Sequence, residues 1–506
     1  MAKDKYFAYG AVLEALSSGL YPDKRYVIRE FAQNAFDALN AWRKVSGEQS
    51  LSPIEIKIQR PSIFIADWGI GMDQNEAEKF RYLGYSTKDK KENVGFRGIG
   101  KDSGLAVAEK IIVTTSKADV PMRYTIVIDA QKMLEESASG RNPPLEELLA
   151  NYTTIKDKPE DKAEHYTFVE LHKIRKDAQD VLFNIDGLRE HLRRNCPVPL
   201  DPNFNYADEV TARLKTNIPS FADVDILLNG EKLYKPFPPN YTRPEYAPIF
   251  LNEEESAPLL AYCWYCGNSE KGQFADKENS GLIYRVKNFA IGDRQLTRET
   301  LWTATPERAF YFFGEVHVLD EAVIPSSDRT DFEDSEARVR LYQRCRRIAQ
   351  ILNQRAGTES AQRTFGEAIG GATELINLRQ SEVTQSQLAI EIKPDVVYEL
   401  RKTVEDLQKR IDRTAGKRKP SQKDIQLVNR GEKVLKNAKG LLKRMESGKG
   451  FSDITQQLEL GEQAKQVYQI VIECLREEFS SDLKRLERVV DSINKALSRV
   501  FKRPSA

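Results

Sequence analysis

Glu30, Asn34 and Asp37 stand at i, i+4 and i+7 within Tyr26–Leu39. That spacing puts all three on one face of a helix, while Phe31, Ala35 and Ala38 can face a core. A stripe of Glu, Asn and Asp on an otherwise apolar helix is costly to bury unless it has partners. A carboxylate with an amide one turn further on suits a general base beside an oxygen ligand for Mg2+. The same stripe on a solvated face would do no chemistry. Three further segments bear on the choice. Ile63–Met72 is a β-rich run ending in Asp67, followed by Gly69, Gly71 and Met72. A carboxylate at a strand end can accept a hydrogen bond from an exocyclic amine, and glycines beside it let backbone lie against a planar base. Alone, the segment reads equally as a hairpin turn. Gly95, Gly98 and Gly100 precede an apolar run expected to be helical, with Ile99 and Lys101 among them. Such a turn aims backbone N–H groups at an anion. The spacing fits neither a Walker A loop nor a dinucleotide fingerprint. Tyr166–Leu171 is a strand carrying Thr167.

In that order, Glu-x3-Asn-x2-Asp, Asp-x-Gly-x-Gly-Met, a glycine-rich loop and a strand threonine, the four segments resemble the GHKL ATPases: gyrase, the HtpG-type heat-shock chaperones, histidine kinases and MutL. Leu20–Leu39 looks most like the HtpG-type chaperones, and Gly95-Phe-Arg-Gly98 more like MutL. Tyr85-Ser-Thr-Lys88 occupies the place of the short Ser/Thr-Lys segment of the lid in both groups. The resemblance implies a Bergerat fold, with helices on one face of a mixed sheet. It implies that Glu30 activates the hydrolytic water and Asn34 ligates Mg2+. It further implies that Asp67 binds the adenine amino group with Thr167 in support, and that Gly71 and Met72 line the base pocket. Asp37, Lys88, Gly95, Gly98, Ile99, Gly100 and Lys101 are implied on the nucleotide, the glycines holding its phosphates. ATP and Mg2+ are the cofactors expected on this basis.

Further along, Asn229-Gly230 between two apolar runs is a strong hairpin signal. With Gly281–Gly292, Tyr311–Leu319 and Ala322–Phe332, the order and texture resemble the S5-like middle domain of the same chaperones and of MutL. There a basic residue reaches the γ-phosphate, and the resemblance assigns that role to Arg329. The other reading is an arginine paired with Asp328 or Asp331 on its own loop.

The elements that must hold these residues change in texture near residue 380. Before it, β-rich runs alternate with helical stretches, and 130–165 is polar and broken by proline, which reads as loop or insertion. After it, Val397, Leu400, Val404, Leu407 and Ile411, and again Phe479 through Val500, step by three and four. This gives an apolar seam on a helix. The seam serves either an antiparallel hairpin packed on itself or a dimerising coiled coil. The fold expected is α+β: a GHKL ATPase domain over 1–175, a connector over 176–220, a middle domain over 221–380 and a helical coiled-coil tail over 381–506.

Lys and Arg number 77 against 76 Asp and Glu, so a uniformly basic coat is excluded. Locally, 401–450 holds 16 basic residues against 6 acidic, with Lys417-Arg-Lys419 in a loop. No apolar run is long enough to span a bilayer. The first residues, Met-Ala-Lys-Asp-Lys, lack a secretory core, and five cysteines make no disulfide framework, so a cytoplasmic setting is expected. Cys263 and Cys266 form a CxxC with no second ligand pair, which reads as structural thiols. The function expected is an ATP-hydrolysing, chaperone-like clamp, a homodimer through its C-terminal helices that acts on a protein client. The alternative is a DNA-associated GHKL ATPase like MutL or the MORC group.

Overall fold

The computed structural model describes residues 23–48, 50–80, 100–141, 143–254, 257–270, 272–386 and 394–447, with scattered helical positions between 466 and 496. The chain divides into two compact units, 1–356 and 357–506.

In the first unit, the helix α1 (Arg25–Ser46) presents Val27, Ile28, Phe31, Ala35 and Leu39 to a core and stops at Gly47, whose φ of 76° closes the last turn. The strands β1 (Ile54–Gln59) and β2 (Ser62–Asp67) form a hairpin, and the short helix α2 (Gln74–Phe80) follows. A 3-10 turn over Gly100–Ala106 then leads into β3 (Ala108–Ser116) and β4 (Met122–Ile128). Here the structure departs from expectation in part: the apolar residues after the glycines close a short 3-10 turn rather than open a longer helix, while Ile111 and Val113 alternate into the core as a β-rich run should. The segment 130–165 is also ordered, as α3 (Ala130–Ser137), α4 (Leu145–Tyr152) and the edge strand β5 (Thr153–Pro159). Met133, Leu148 and Leu149 anchor it, an apolar set too sparse to stand out among its prolines and charges.

β6 (Tyr166–Ile174) enters the sheet between β3 and β2. The helices α5 (Lys176–Leu182), α6 (Ile185–Asn195) and α7 (Ala207–Asn217) follow, then β7 (Ile226–Leu228) and β8 (Glu231–Lys232). The hairpin at Asn229-Gly230 forms as its sequence dictates. It extends the first sheet, β7 pairing in parallel with β1, rather than the second. The eight strands run β5-β4-β3-β6-β2-β1-β7-β8. They form the expected mixed sheet, with α1 across one face.

The second sheet runs β12-β11-β13-β10-β9. Its strands are β9 (Glu245–Phe250), β10 (Leu259–Gly267), β11 (Gly281–Val286), β12 (Phe289–Ile291) and β13 (Phe312–Val318), with α8 (Arg294–Leu301) and a 3-10 turn over Pro306–Tyr311 between the last two. Both faces of β10 and β13 are buried, which is why they read as unbroken apolar runs. One face packs on Leu341, Cys345 and Leu352 of the long helix α9 (Glu336–Ser386), and the other on Phe204, Val210 and Leu214. Cys263 belongs to the first of these cores and Cys266 to the second, so strand alternation keeps the two thiols from sharing a metal.

The second unit is built from the later part of α9 with α10 (Pro394–Ala415) and α11 (Gln422–Ser447). Leu400, Val404, Leu407 and Ile411 pack against Leu435, Ala438 and Leu441 and against Phe365, Ile369 and Ala372. This seam is therefore filled by the chain's own helices. The hairpin turn is locked by a reciprocal cap: Ser421 N donates to Asp424 at 2.9 Å, and Asp424 N donates to Ser421 Oγ at 3.1 Å. Lys417 Nζ donates to the same carboxylate at 2.7 Å. Of the seam from Phe479 to Val500, only Ile493 falls among the described residues. No helix among the described residues is long and apolar enough to cross a membrane.

Candidate active site

Three apolar anchors per two turns fix the roll of α1, and that roll brings its polar stripe to the edge of the core. Glu30 and Asp37 are buried and Asn34 is half-buried. Beside Glu30 lies Arg29, fully buried. Its Nη2 donates to Ala290 O of β12 at 2.7 Å, and its guanidinium sits over the rings of Tyr26 and Phe289. Burial lowers Arg29 below its ordinary value, and the Glu30 carboxylate, 3.3 Å from Nη1, opposes that shift. α1 is thereby pinned to the second sheet at the residue preceding Glu30.

Arg329 arrives at the same carboxylate from the second sheet's side. Its Nε is 3.7 Å from Glu30 Oε1, and both side chains are buried. The turn that delivers it is tight, with Arg329 at φ 62° and its carbonyl accepting from Gly292 N at 2.8 Å. The acids nearby are committed elsewhere. Asp328 accepts from Ser326 Oγ and Thr330 Oγ1, and Asp331 from Tyr342 and Arg338. The Arg329 guanidinium thus stands beside Glu30, an acid named in neither of the two readings open from sequence.

The residues expected at a base pocket are positioned by register. Asp67 pairs with Thr167, and Thr167 with Thr115, so the three stand abreast on neighbouring strands. Thr115 Oγ1 lies 3.2 Å from Thr167 Oγ1, donates to Tyr166 O at 2.9 Å and accepts from Met72 N at 3.0 Å. Asp67 Oδ1 accepts from Gly69 N at 2.9 Å, which turns the chain sharply after the strand. That turn threads between α1 and the end of β3. A Cβ on Gly69 would lie 2.5 Å from Ala38 C, and one on Gly71 would lie 1.7 Å from Ser116 O. Gly71 also has a φ of 66°, so glycine is required there on two counts.

Gly100 and Lys101 begin the 3-10 turn. Lys88, Gly95, Gly98 and Ile99 lie outside the described residues. The residues present fit a Mg-nucleotide: a strand-end carboxylate beside paired hydroxyls, backbone that only glycine allows, and an amide oxygen one turn from a buried carboxylate. Among the described residues, no cluster of three His, Cys, Asp or Glu could hold a metal by itself.

Residues 24–159 match the family described as histidine kinase-, DNA gyrase B- and HSP90-like ATPase. They form a GHKL-type ATPase domain. Curated relatives similar to the chain include the chaperone protein HtpG of Helicobacter pylori, 29% identical over 148 residues (25% of this chain and 24% of the relative). The chaperone protein HtpG of Sulfurovum sp. is 31% identical over 154 residues (26% and 24%). The chain thus spans about a quarter of the length of the curated relatives it matches (24%). The GHKL domain contains Glu30, Asn34, Asp37, Asp67, Gly71 and Met72 within the matched range, whereas Thr167 and Arg329 lie beyond it.

Three residues beside these candidates escaped the sequence reading. Thr115 looks like any strand threonine until β3 and β6 are paired. Arg29 is one of many arginines until its burial is seen. Gln33 lies one turn from Glu30 and Asp37 on the same side of α1. It is fully buried, and neither atom of its amide has a hydrogen-bond partner. Its signal was available, since Gln33, at i+3 from Glu30 and i−4 from Asp37, extends the polar stripe of α1.

Proposed function

We propose that the chain is an ATP-hydrolysing, chaperone-like clamp. The observation that carries this reading is the meeting of Glu30 and Arg329. A carboxylate suited to activating water, on α1, and a cation suited to a γ-phosphate, on the loop after β13, come to within 3.7 Å. When bound, Mg2+ neutralises phosphate charge. Asn34 would hold it, and Asp67 with Thr115 and Thr167 would orient the base. Arg329 touches Glu30 and so competes with water for that carboxylate. Once a γ-phosphate attracts Arg329, Glu30 is released to accept the water's proton. Because Arg329 lies on the loop that follows the last strand of the second sheet, nucleotide binding becomes a statement about how that loop sits against α1. This is the chemical basis for closure on a client. Dimerisation is assigned to the seam from Phe479 to Val500, since the seam at 397–411 is used within the chain.

The test is Mg-ATP turnover in Glu30→Ala. The rate should fall by ~10²–10⁴ with ATP binding retained, and an unchanged rate would remove Glu30 as base. A second reading, DNA held by the clamp, draws support from Lys433, Lys436, Lys439 and Lys443, all exposed on the side of α11 away from its buried seam. It draws less from the 417–419 loop, where Lys417 is bound to Asp424. DNA retention that weakens steeply with salt would favour it.

A further inference from the structure

A cavity of about 530 Å3 lies apart from the GHKL site, walled on one side by the start of α1 and by α6, and on the other by the second sheet and α8. None of Glu30, Asn34, Asp67 or Thr167 lines it. Seven Lys and Arg side chains do, against five carboxylates.

The five carboxylates are all engaged. Asp23 pairs with Arg25 at 2.9 Å, Glu190 and Glu278 both pair with Arg194, and Glu315 pairs with Arg285 and Lys235. Asp293 caps α8, accepting from Gln295 N and Leu296 N. Among the described residues, Lys277, Arg294 and Arg298 are left without a carboxylate. They are gathered rather than scattered. Arg294 and Arg298 are one turn apart on α8, and Lys277 and Arg298 stand 4.5 and 5.0 Å from the centre of the same ring, Phe310. Burial and the like charge of Arg285 lower Arg294 to about 10. Three uncompensated cations held together in a cleft repel one another, and the repulsion grows as water is excluded.

Unfilled hydrogen-bonding positions point to the same place. Arg194 Nε and Arg298 Nε are buried donors without partners. His191 Nε2, on a ring that is 7% exposed, is buried without a partner as well. All three residues line the cavity. Buried guanidinium N–H groups in native proteins are ordinarily satisfied. Guanidinium forks match phosphate oxygens in geometry and charge, and the volume suits a small molecule.

We propose that this cavity binds a small polyanion carrying two or more phosphate groups, with Arg298, Arg294 and Lys277 as its main contacts. The site is independent of the nucleotide reading, because it shares no residue with it. Its wall includes both α1 and α8, so occupancy would fix the first sheet's helices against the second sheet.

The experiment is calorimetric titration of the full chain with inorganic tripolyphosphate. Arg298→Gln is the primary variant, because among the described residues the Arg298 side chain makes no hydrogen bond that its loss would break. Lys277→Gln, at an exposed position, is the second. Each should weaken binding about tenfold, the scale of one charge-assisted hydrogen bond. Asp67→Asn should leave the affinity unchanged. A parallel titration of the Asp67→Asn chain with ATP separates a site for phosphate alone from one that also reads a nucleoside. Tighter binding of ATP than of tripolyphosphate there assigns a nucleotide, and equal binding assigns the phosphates. Equal tripolyphosphate affinity in wild type, Arg298→Gln and Lys277→Gln would overturn the proposal, as would no heat at about 10 mM, near the weak end of specific binding.

Discussion

Glu30 and Glu315 are both 4% exposed and both touch arginine, yet their surroundings are built differently. Glu315, on β13, accepts from Arg285, from Lys235 at 3.0 Å, from Trp264 Nε1 at 3.1 Å and bonds His317 Nε2 at 3.0 Å. Burial pushes its carboxyl up, and Arg285, Lys235 and His317 override that push and hold it well below the usual carboxylate range. Burial in turn lowers Lys235 to about 8. The partners are themselves tied down: Arg285 donates to Asn288 O and Arg194 O, and Lys235 to Asn288 Oδ1. This network is closed. Around Glu30 the shell is open, with Arg29 Nε and both amide atoms of Gln33 buried and unpartnered, and the arginine contacts are longer, at 3.3 and 3.7 Å. A fully satisfied buried network fixes a fold, whereas one left incomplete is available to something that binds.

That contrast can be broken most forcefully at Glu315. Glu315→Leu strands two buried cations and should lower the unfolding free energy by about 3–5 kcal/mol in denaturant melts. Glu30→Gln, which keeps an acceptor for Arg29, should cost clearly less. Equal losses would show that both glutamates are structural.

Arg329→Ala probes the open shell from the loop after β13. Mg-ATP hydrolysis should slow by about 10²-fold, while ADP, which has no γ-phosphate, should bind as before. Parallel weakening of ADP and ATP would reduce Arg329 to a structural turn residue.

The smallest effect is expected at Gln33. Replacing an unsatisfied buried amide by Gln33→Leu should stabilise the nucleotide-free protein by about 1 kcal/mol. A loss of stability would mean that the amide is satisfied in solution, and the contrast between the two shells would narrow.

Local chemistry determined much of this protein. The stripe of α1, the strand ending in Asp67, the Asn229-Gly230 turn and the seam at 397–411 are each set by residues a few positions apart, where periodicity and turn preference act directly. Partners far apart in the chain were decided by tertiary structure. Thr115 meets Thr167 only when β3 and β6 pair, and Arg329 meets Glu30 across 299 positions. The hairpin at 229 could have joined either sheet, because its alternation specifies a face but not a neighbour. The same limit applied to the seam at 397–411, whose spacing demands an apolar partner without naming it. Packing against Leu435, Leu441 and Phe365 supplied that partner from within the chain. Composition counted the charges, but only the fold could leave three cations without carboxylates around one cavity. Which acids those arginines reach depends on strands and helices that no short window of sequence contains.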